Sequence, residues 1–321
     1  MIKYLSAFLI SAVLSAVFTF AIIPVLKKLK AGQSILSYVK EHEYKGGTPT
    51  MGGAVFVLVA AGVTLTLANR ESFRTAAVVC AAGASFAIVG FLDDFIKIKL
   101  SRNEGLKPYQ KIVFQLAVAS LISTYAFLRG YAAVVLPFSG KTLDLGFWFI
   151  PFSVFVFIAT TNCVNLTDGL DGLAAGTSYV YLLAVGAVIV IRSGGGNEFA
   201  LSALALAGAL VGFLLFNTYR AKVFMGDTGS LGLGGFIAAI SLLSGNALLI
   251  PLVGVAFVLS GISVIAQVVY YKRTKRRIFL MAPLHHHFQM KGASESKIAF
   301  AYKFVTAIFG IICVIFALAR G

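Results

Sequence analysis

The chain has 321 residues, of which 59% are hydrophobic and only 12% charged, with a formal net charge of +15 and a mean hydropathy of +0.92. A soluble domain carries roughly twice that share of charge, so the composition excludes an ordinary soluble enzyme and points to an all-α, polytopic integral membrane protein. The basic excess is read as topological, with Lys and Arg marking cytoplasmic loops and facing anionic lipid, so the expected partner is the bilayer and no nucleic acid.

A spanning helix needs about 20 apolar residues. Taken in order, the chain offers Tyr4–Leu26, Met51–Ala68, Thr75–Leu92, Ile112–Leu128, Phe147–Val164, Leu173–Ile191, Phe199–Phe216, Leu231–Leu243, Leu248–Tyr271 and Ile298–Leu318. That is about ten transmembrane helices in one transmembrane catalytic domain, residues 1–321. The first is too long for a signal-peptide core and is read as a retained helix. Of the 27 Lys and Arg, 20 fall in the connections at 27–50, 93–111, 217–230 and 272–303. The alternating set, which holds the termini and four short loops, has the other seven. The bias makes the first set cytoplasmic and puts both termini outside. Nine of the twelve acids and all four His share the cytoplasmic side. Acids contribute little to topology, so their gathering there points to an active site at the cytoplasmic face. The three cysteines, Cys80, Cys163 and Cys313, sit in or beside apolar runs and lack metal-ligand spacing.

The polar strings lie at span boundaries. Asp93 and Asp94 end the third apolar run in "GFLDDFIKIK". Adjacent carboxylates repel one another unless a cation or a shared proton relieves them. In "NCVNLTDGLDG", Asp168 and Asp171 are three apart and share a face on a helical turn, and Asn165 precedes them by the same step. Capping explains one such residue, not the whole group. Asp227 stands between Gly226 and Gly229 in "FMGDTGSLGLGG". Magnesium prefers oxygen ligands and is commonly held by one or two carboxylates together with substrate phosphates. Aspartates converging from several loops fit that chemistry, whereas no P-loop string is present. "PLHHHF" places His285, His286 and His287 after the basic run "YKRTKRR". Zinc lacks support there, because Cys ligands and helical His spacing are missing.

Five of these strings, "GTPTMGG", "LDD", "NLTDGLDGLA", "FMGDTGSL" and "PLHHHF", occur in an order that resembles the phospho-N-acetylmuramoyl-pentapeptide transferases. These belong to the polyprenyl-phosphate N-acetylhexosamine-1-phosphate transferase superfamily. The resemblance runs from about Tyr44 to Ile298. It implies a multi-pass enzyme of the bacterial plasma membrane that joins UDP-N-acetylmuramoyl-pentapeptide to undecaprenyl phosphate and releases UMP, with magnesium as cofactor. A homodimer is compatible with it. It further implies that Asp227 and Asn165 hold magnesium, that Asp93 is the base with Asp94 beside it, and that Asp168 positions the metal or substrate. A covalent phospho-aspartate would use similar residues. Lys45, Lys97 and Lys111 would meet phosphates. Phe224 would stack on uracil, while Asp171, Asn217 and Gln267 would hydrogen-bond the nucleoside. His286 and His287 would contact phosphate or sugar, with His285 nearby.

Three positions depart from the usual pattern: Gln289 replaces a Glu after the triple His, Cys163 replaces an Ala, and "GLKPYQK", which carries Lys111, differs. Two other functions compete. One is the same transfer from UDP-N-acetylglucosamine, against which the triple His argues. The other is a cation-coupled transporter, which should carry acids near mid-span.

Overall fold

A computed structural model describes residues 1–29, 47–100 and 105–320. The architecture is helical, in the order α1 (Ile2–Lys28), α2 (Gly53–Leu67), α3 (Phe73–Lys99), α4 (Pro108–Leu128), α5 (Phe149–Thr167), α6 (Leu173–Ser193), α7 (Glu198–Asn217), α8 (Gly226–Leu243), α9 (Leu249–Val253), α10 (Val255–Thr274), α11 (Leu284–Met290) and α12 (Glu295–Leu318). Among the described residues, nine helices are long and apolar enough to cross a membrane. The second expected span becomes α2, whose 15 residues reach about 22 Å, short of the roughly 30 Å hydrocarbon core.

The glycine-rich α8 is the centre of the bundle: 89% of its apolar window is buried, against 22% for α1 and for α4. Small residues let helices approach closely where hydrophobic burial gives no drive between them. A Cβ on Gly229 would lie 2.7 Å from the Cα of Gly53 on α2, and one on Gly234 would lie 2.5 Å from the Cα of Thr161 on α5. On the far side, α1 lies against α7 at the same kind of seam. There a Cβ on Gly208 would come within 2.0 Å of the Phe8 carbonyl oxygen, and Ser11, Ser15 and Thr19 are buried. Leu5, Val13, Phe20, Leu121, Phe155 and Ile311 remain exposed, as lipid-facing residues of a membrane bundle do.

Several sequence boundaries shift. The run expected as one span from Leu248 to Tyr271 is two helices, because the chain turns at Gly254 between α9 and α10. A Cβ there would stand 2.5 Å from the Ile250 carbonyl oxygen and 3.4 Å from the Tyr181 ring. Helix α3 continues past Leu92 to Lys99, α5 continues past Val164 to Thr167, and α8 begins at Gly226 rather than Leu231. The triple His, expected in a loop, forms α11. One connection holds a hairpin that the hydropathy pattern did not suggest: β1 (Ala133–Val135) and β2 (Thr142–Asp144) pair antiparallel with Val134 opposite Leu143.

The hairpin, Lys3 and Arg320 lie at the end of the bundle away from Asp93 and Asp227. There Lys3 Nζ meets Glu198 Oε1 at 3.1 Å, Arg192 donates to the Pro137 carbonyl and Arg320 to the Ser139 carbonyl.

Candidate active site

Helices α3, α4, α5 and α8 bring charge together at one end. Asp93, Asp94 and Asp227 each offer a carboxylate oxygen, and these oxygens all lie within 4.8 Å of one another. Asp93 and Asp94 are buried. Two lysines face them. Lys97, one turn after Asp93, places Nζ 2.5 Å from Asp93 Oδ2, 2.9 Å from Asp227 Oδ2 and 3.9 Å from Asp94 Oδ1. Lys111, near the start of α4, places Nζ 2.9 Å from Asp227 Oδ2. Three carboxylates against two ammoniums leave the group one negative charge in excess. A buried ionic network is a poor source of stability, because desolvation consumes most of its attraction. Its retention in a membrane bundle points to chemistry.

Each carboxylate is held differently. Asp93 Oδ1 accepts the Leu106 amide at 2.9 Å. Asp94 turns to the start of α8: its oxygens accept the amides of Asp227 (3.2 Å) and Thr228 (2.9 Å) and the Thr228 hydroxyl (2.7 Å). Asp94 therefore satisfies amides of the first helical turn from a neighbouring helix, as a capping side chain does, and fixes the residue beside it, Asp227. Gly226 makes room for this at φ +68°, where a Cβ would stand 2.6 Å from Asp94 Oδ2. Asn165, on α5, donates Nδ2 to Asp227 Oδ1 and to Ser230 Oγ, both at 2.7 Å. The amide's nitrogen, not its carbonyl oxygen, faces Asp227, so Asn165 as placed orients that carboxylate rather than sharing an ion with it.

A second group frames the site. Asp171 Oδ2 accepts the Ala221 amide at 3.0 Å, and Asn217 Nδ2 donates to the Val223 carbonyl at 2.9 Å. Both hold the loop before α8. Within that loop the backbone of half-buried Phe224 bonds to Pro49 and Gly52 beside α2. Asp168 ends α5 and stands outside the three-carboxylate cluster. Lys45 lies outside the described residues.

The three His point three ways, as consecutive residues on a helix must. His285 faces inward and is fully buried. It packs beneath the turn after Asp168, where a Cβ on Gly169 would lie 2.3 Å from its Nε2. Neither ring nitrogen has a hydrogen-bond partner among the described residues. Burial, then the neighbouring His286, pushes its pKa down to about 3. A ring with zero exposure cannot touch substrate in this arrangement, so His285, expected beside the substrate, supports the turn after Asp168. His286 Nδ1 lies 3.0 Å from Gln289 Oε1. His287 Nδ1 accepts the Leu280 amide at 3.1 Å, and Gln267 Oε1 accepts the amides of Ile278 and Phe279. Gln267 and His287 thus shape the segment leading into α11.

Sequence reasoning missed Thr228 and Ser230, which carry the bonds to Asp94 and Asn165, and Glu295. Buried at the start of α12, Glu295 accepts the Asp171 amide at 3.2 Å through Oε2 and meets Gln289 Nε2 at 3.5 Å through Oε1. It links the His286 helix to the Asp171 loop.

Known proteins resemble this chain over most of its length. The family model described as Glycosyl transferase family 4 matches residues 76–245, more than half of the chain. A phospho-N-acetylmuramoyl-pentapeptide-transferase of Clostridioides difficile (strain 630) is 41% identical over 315 residues, covering 97% of this chain and 95% of the relative. One of Clostridium novyi (strain NT) is 43% identical over 294 residues, covering 91% and 90%. A third, of Clostridium perfringens (strain 13 / Type A), is 41% identical over 308 residues, covering 96% of both chains. The chain belongs to the phospho-N-acetylmuramoyl-pentapeptide-transferase family. In this family member, the Glycosyl transferase family 4 match contains the three clustered carboxylates, both lysines and Asn165, whereas α11 and Glu295 lie beyond it.

Proposed function

We propose that this chain transfers phospho-N-acetylmuramoyl-pentapeptide from its UDP conjugate to undecaprenyl phosphate and releases UMP, at the cytoplasmic face of the bacterial plasma membrane. That reaction is the first membrane step of peptidoglycan synthesis. The observation that carries the reading is identity of 41–43% to transferases of that name over 91–97% of the chain. The charge cluster at one end of a bilayer-spanning bundle supports it. A lipid phosphate and a soluble sugar nucleotide meet at the membrane surface, and both need cationic partners there. A transporter would instead hold its acids at mid-span.

Three carboxylate oxygens within 4.8 Å are a donor set that suits a hard divalent cation. Asp227, oriented by the Asn165 amide nitrogen, would hold magnesium, and when bound the ion supplies charge neutralisation to the diphosphate and the leaving UMP. Asp93 takes the proton of the lipid phosphate. Its Oδ1 stays on the Leu106 amide, so Oδ2 is the oxygen that receives the proton, relieved of its pairing with Lys97. The freed phosphate oxygen attacks the phosphorus attached to the sugar, and the bond from that phosphorus to the UMP oxygen breaks. Lys97 and Lys111 bind phosphate oxygens and keep the two anions from repelling. Asp94 holds Asp227 in place through the α8 amides. Phe224 meets the nucleoside from a loop that Asp171 and Asn217 hold in place, and His286 meets the sugar phosphate.

The test is a side-by-side assay in detergent with undecaprenyl phosphate, magnesium and two radiolabelled sugar nucleotides. Label should pass to lipid from UDP-N-acetylmuramoyl-pentapeptide and not from UDP-N-acetylglucosamine. Transfer from the second alone would overturn the assignment.

A further inference from the structure

Among the described residues, Lys97 is the single cation in reach of all three clustered carboxylates, at 2.5, 2.9 and 3.9 Å. The carboxylate oxygens lie within 4.8 Å of each other, so the space between them admits one small cation centre. Magnesium binds oxygen at about 2.0–2.1 Å. An ion held at Asp227 would compete with the ammonium of Lys97, which lies 2.9 Å from Asp227 Oδ2. Lys111 approaches from α4 and bonds Asp227 Oδ2 alone, so it does not fill that point. Lys97 also has somewhere to go. Its side chain is 29% exposed, it hangs on a flexible four-carbon stem, and it starts at the last turn of α3.

We propose that Lys97 is an exchange residue: its ammonium and the divalent cation take turns on Asp227, the carboxylate assigned to the metal, and Asp93 is left to act as the base. The displaced ammonium then swings outward to the substrate's phosphates. This rests on the phosphotransferase reading and deepens it. A tethered ammonium competes at high effective concentration, so it holds metal affinity down until an anionic substrate takes the ammonium away. Metal and nucleotide then bind cooperatively, each raising the affinity of the other by the same factor. Release of Lys97 also uncovers Asp93 Oδ2, the oxygen that receives the lipid phosphate's proton. One movement thereby readies the cation site, the phosphate contact and the base.

The exchange predicts an effect of unusual sign. Removing a positive charge that binds substrate should tighten metal binding, because the competitor is gone. Full-length protein in detergent is titrated with Mn2+ alone, and free Mn2+ is read by electron paramagnetic resonance. Lys97→Met should bind Mn2+ tighter than wild type by about ten-fold or more, because a tethered competing charge is gone. Equal or weaker affinity overturns the proposal. If Lys97→Met does not fold, wild-type protein gives the answer through its own lysine. Acetylation of Lys97 by an amine-reactive ester, followed by mass spectrometry, should speed up several-fold when Mn2+ is added. An unchanged or slower rate overturns the exchange. Neither readout uses turnover. An inactive wild type with tightened Mn2+ binding in Lys97→Met would sink the transferase reading and leave the exchange standing.

Discussion

Gly90 offers the sharpest perturbation of the site from outside it. It lies on α3, one turn before Asp94, where α3 crosses the start of α8. A Cβ at this position would stand 2.0 Å from the Asp227 carbonyl oxygen, 2.3 Å from its carbonyl carbon and 2.6 Å from the Thr228 nitrogen. All three are backbone atoms and cannot swing aside. Ordinary contact begins near 3.4 Å, so Gly90→Ala must part the two helices by roughly 1.4 Å at that point. The Asp94 bonds to Asp227 and Thr228, now 2.7 to 3.2 Å, then stretch beyond hydrogen-bond range. Overpacking of this kind costs about 1–3 kcal/mol, and a displacement of about 1 Å at a catalytic group costs on the order of 10²-fold in rate. Gly62→Ala on α2 is the matched control, because a Cβ there meets nothing within 4 Å and helix propensity favours alanine by up to about 1 kcal/mol. Initial rates at saturating substrates and melting curves in detergent separate the two. Gly90→Ala should lose about 10²-fold in rate with a lowered melting temperature, while Gly62→Ala keeps both. Activity of Gly90→Ala within about two-fold of wild type would refute the close-contact reasoning.

Two further outcomes test the frame around the carboxylates. Glu295→Gln keeps the shape of a buried side chain that accepts from Asp171 and from Gln289, but offers one acceptor end instead of two. It should raise KM for the sugar nucleotide about ten-fold and leave kcat within about three-fold, the pattern of lost uniform binding. A fall in kcat at constant KM would contradict that. His285 is held neutral by burial, with a folded pKa of about 3 against an unfolded value of about 6.5. The unfolded chain therefore binds the extra proton between those values. The stability that neutral His285 contributes is present above about pH 6.5 and is lost as pH falls toward 3. His285→Phe should flatten the acid side of the melting-temperature profile. An unchanged acid slope would show that the ring is not buried neutral.

Much of the fold was legible because lipid imposes a simple rule on composition. The runs ended early where helices continue into charge. Backbone hydrogen bonding carries α3 through Asp93, Asp94 and Lys97, and starts α8 at Gly226, whereas hydropathy stops at the first carboxylate. The break at Gly254 was hidden for the opposite reason, since apolar residues flank it on both sides. Within the site, charge and order drew attention to Asp93, Asp94 and Asp227, which the fold gathers from two helices. Their division of labour was not legible: Asp94 serves the α8 amides, a contact 133 residues away in sequence. The same distance hides Glu295, whose partner Asp171 lies 124 residues upstream. Nor does a run of three His say which one faces inward, since that depends on the phase of a helix that hydropathy did not suggest.

Asp227 is the residue on which the central claim converges, since Lys97, Lys111, Asn165 and the Asp94 clamp all meet it. The direct measurement is UMP release together with lipid-linked product, for wild type and Asp227→Asn in the same membranes, with the melting temperature of each purified protein. Wild type should give one UMP per lipid-linked product. Asp227→Asn should give neither while still melting cooperatively. Near-normal turnover by that folded variant would contradict a phosphotransferase centred on these carboxylates.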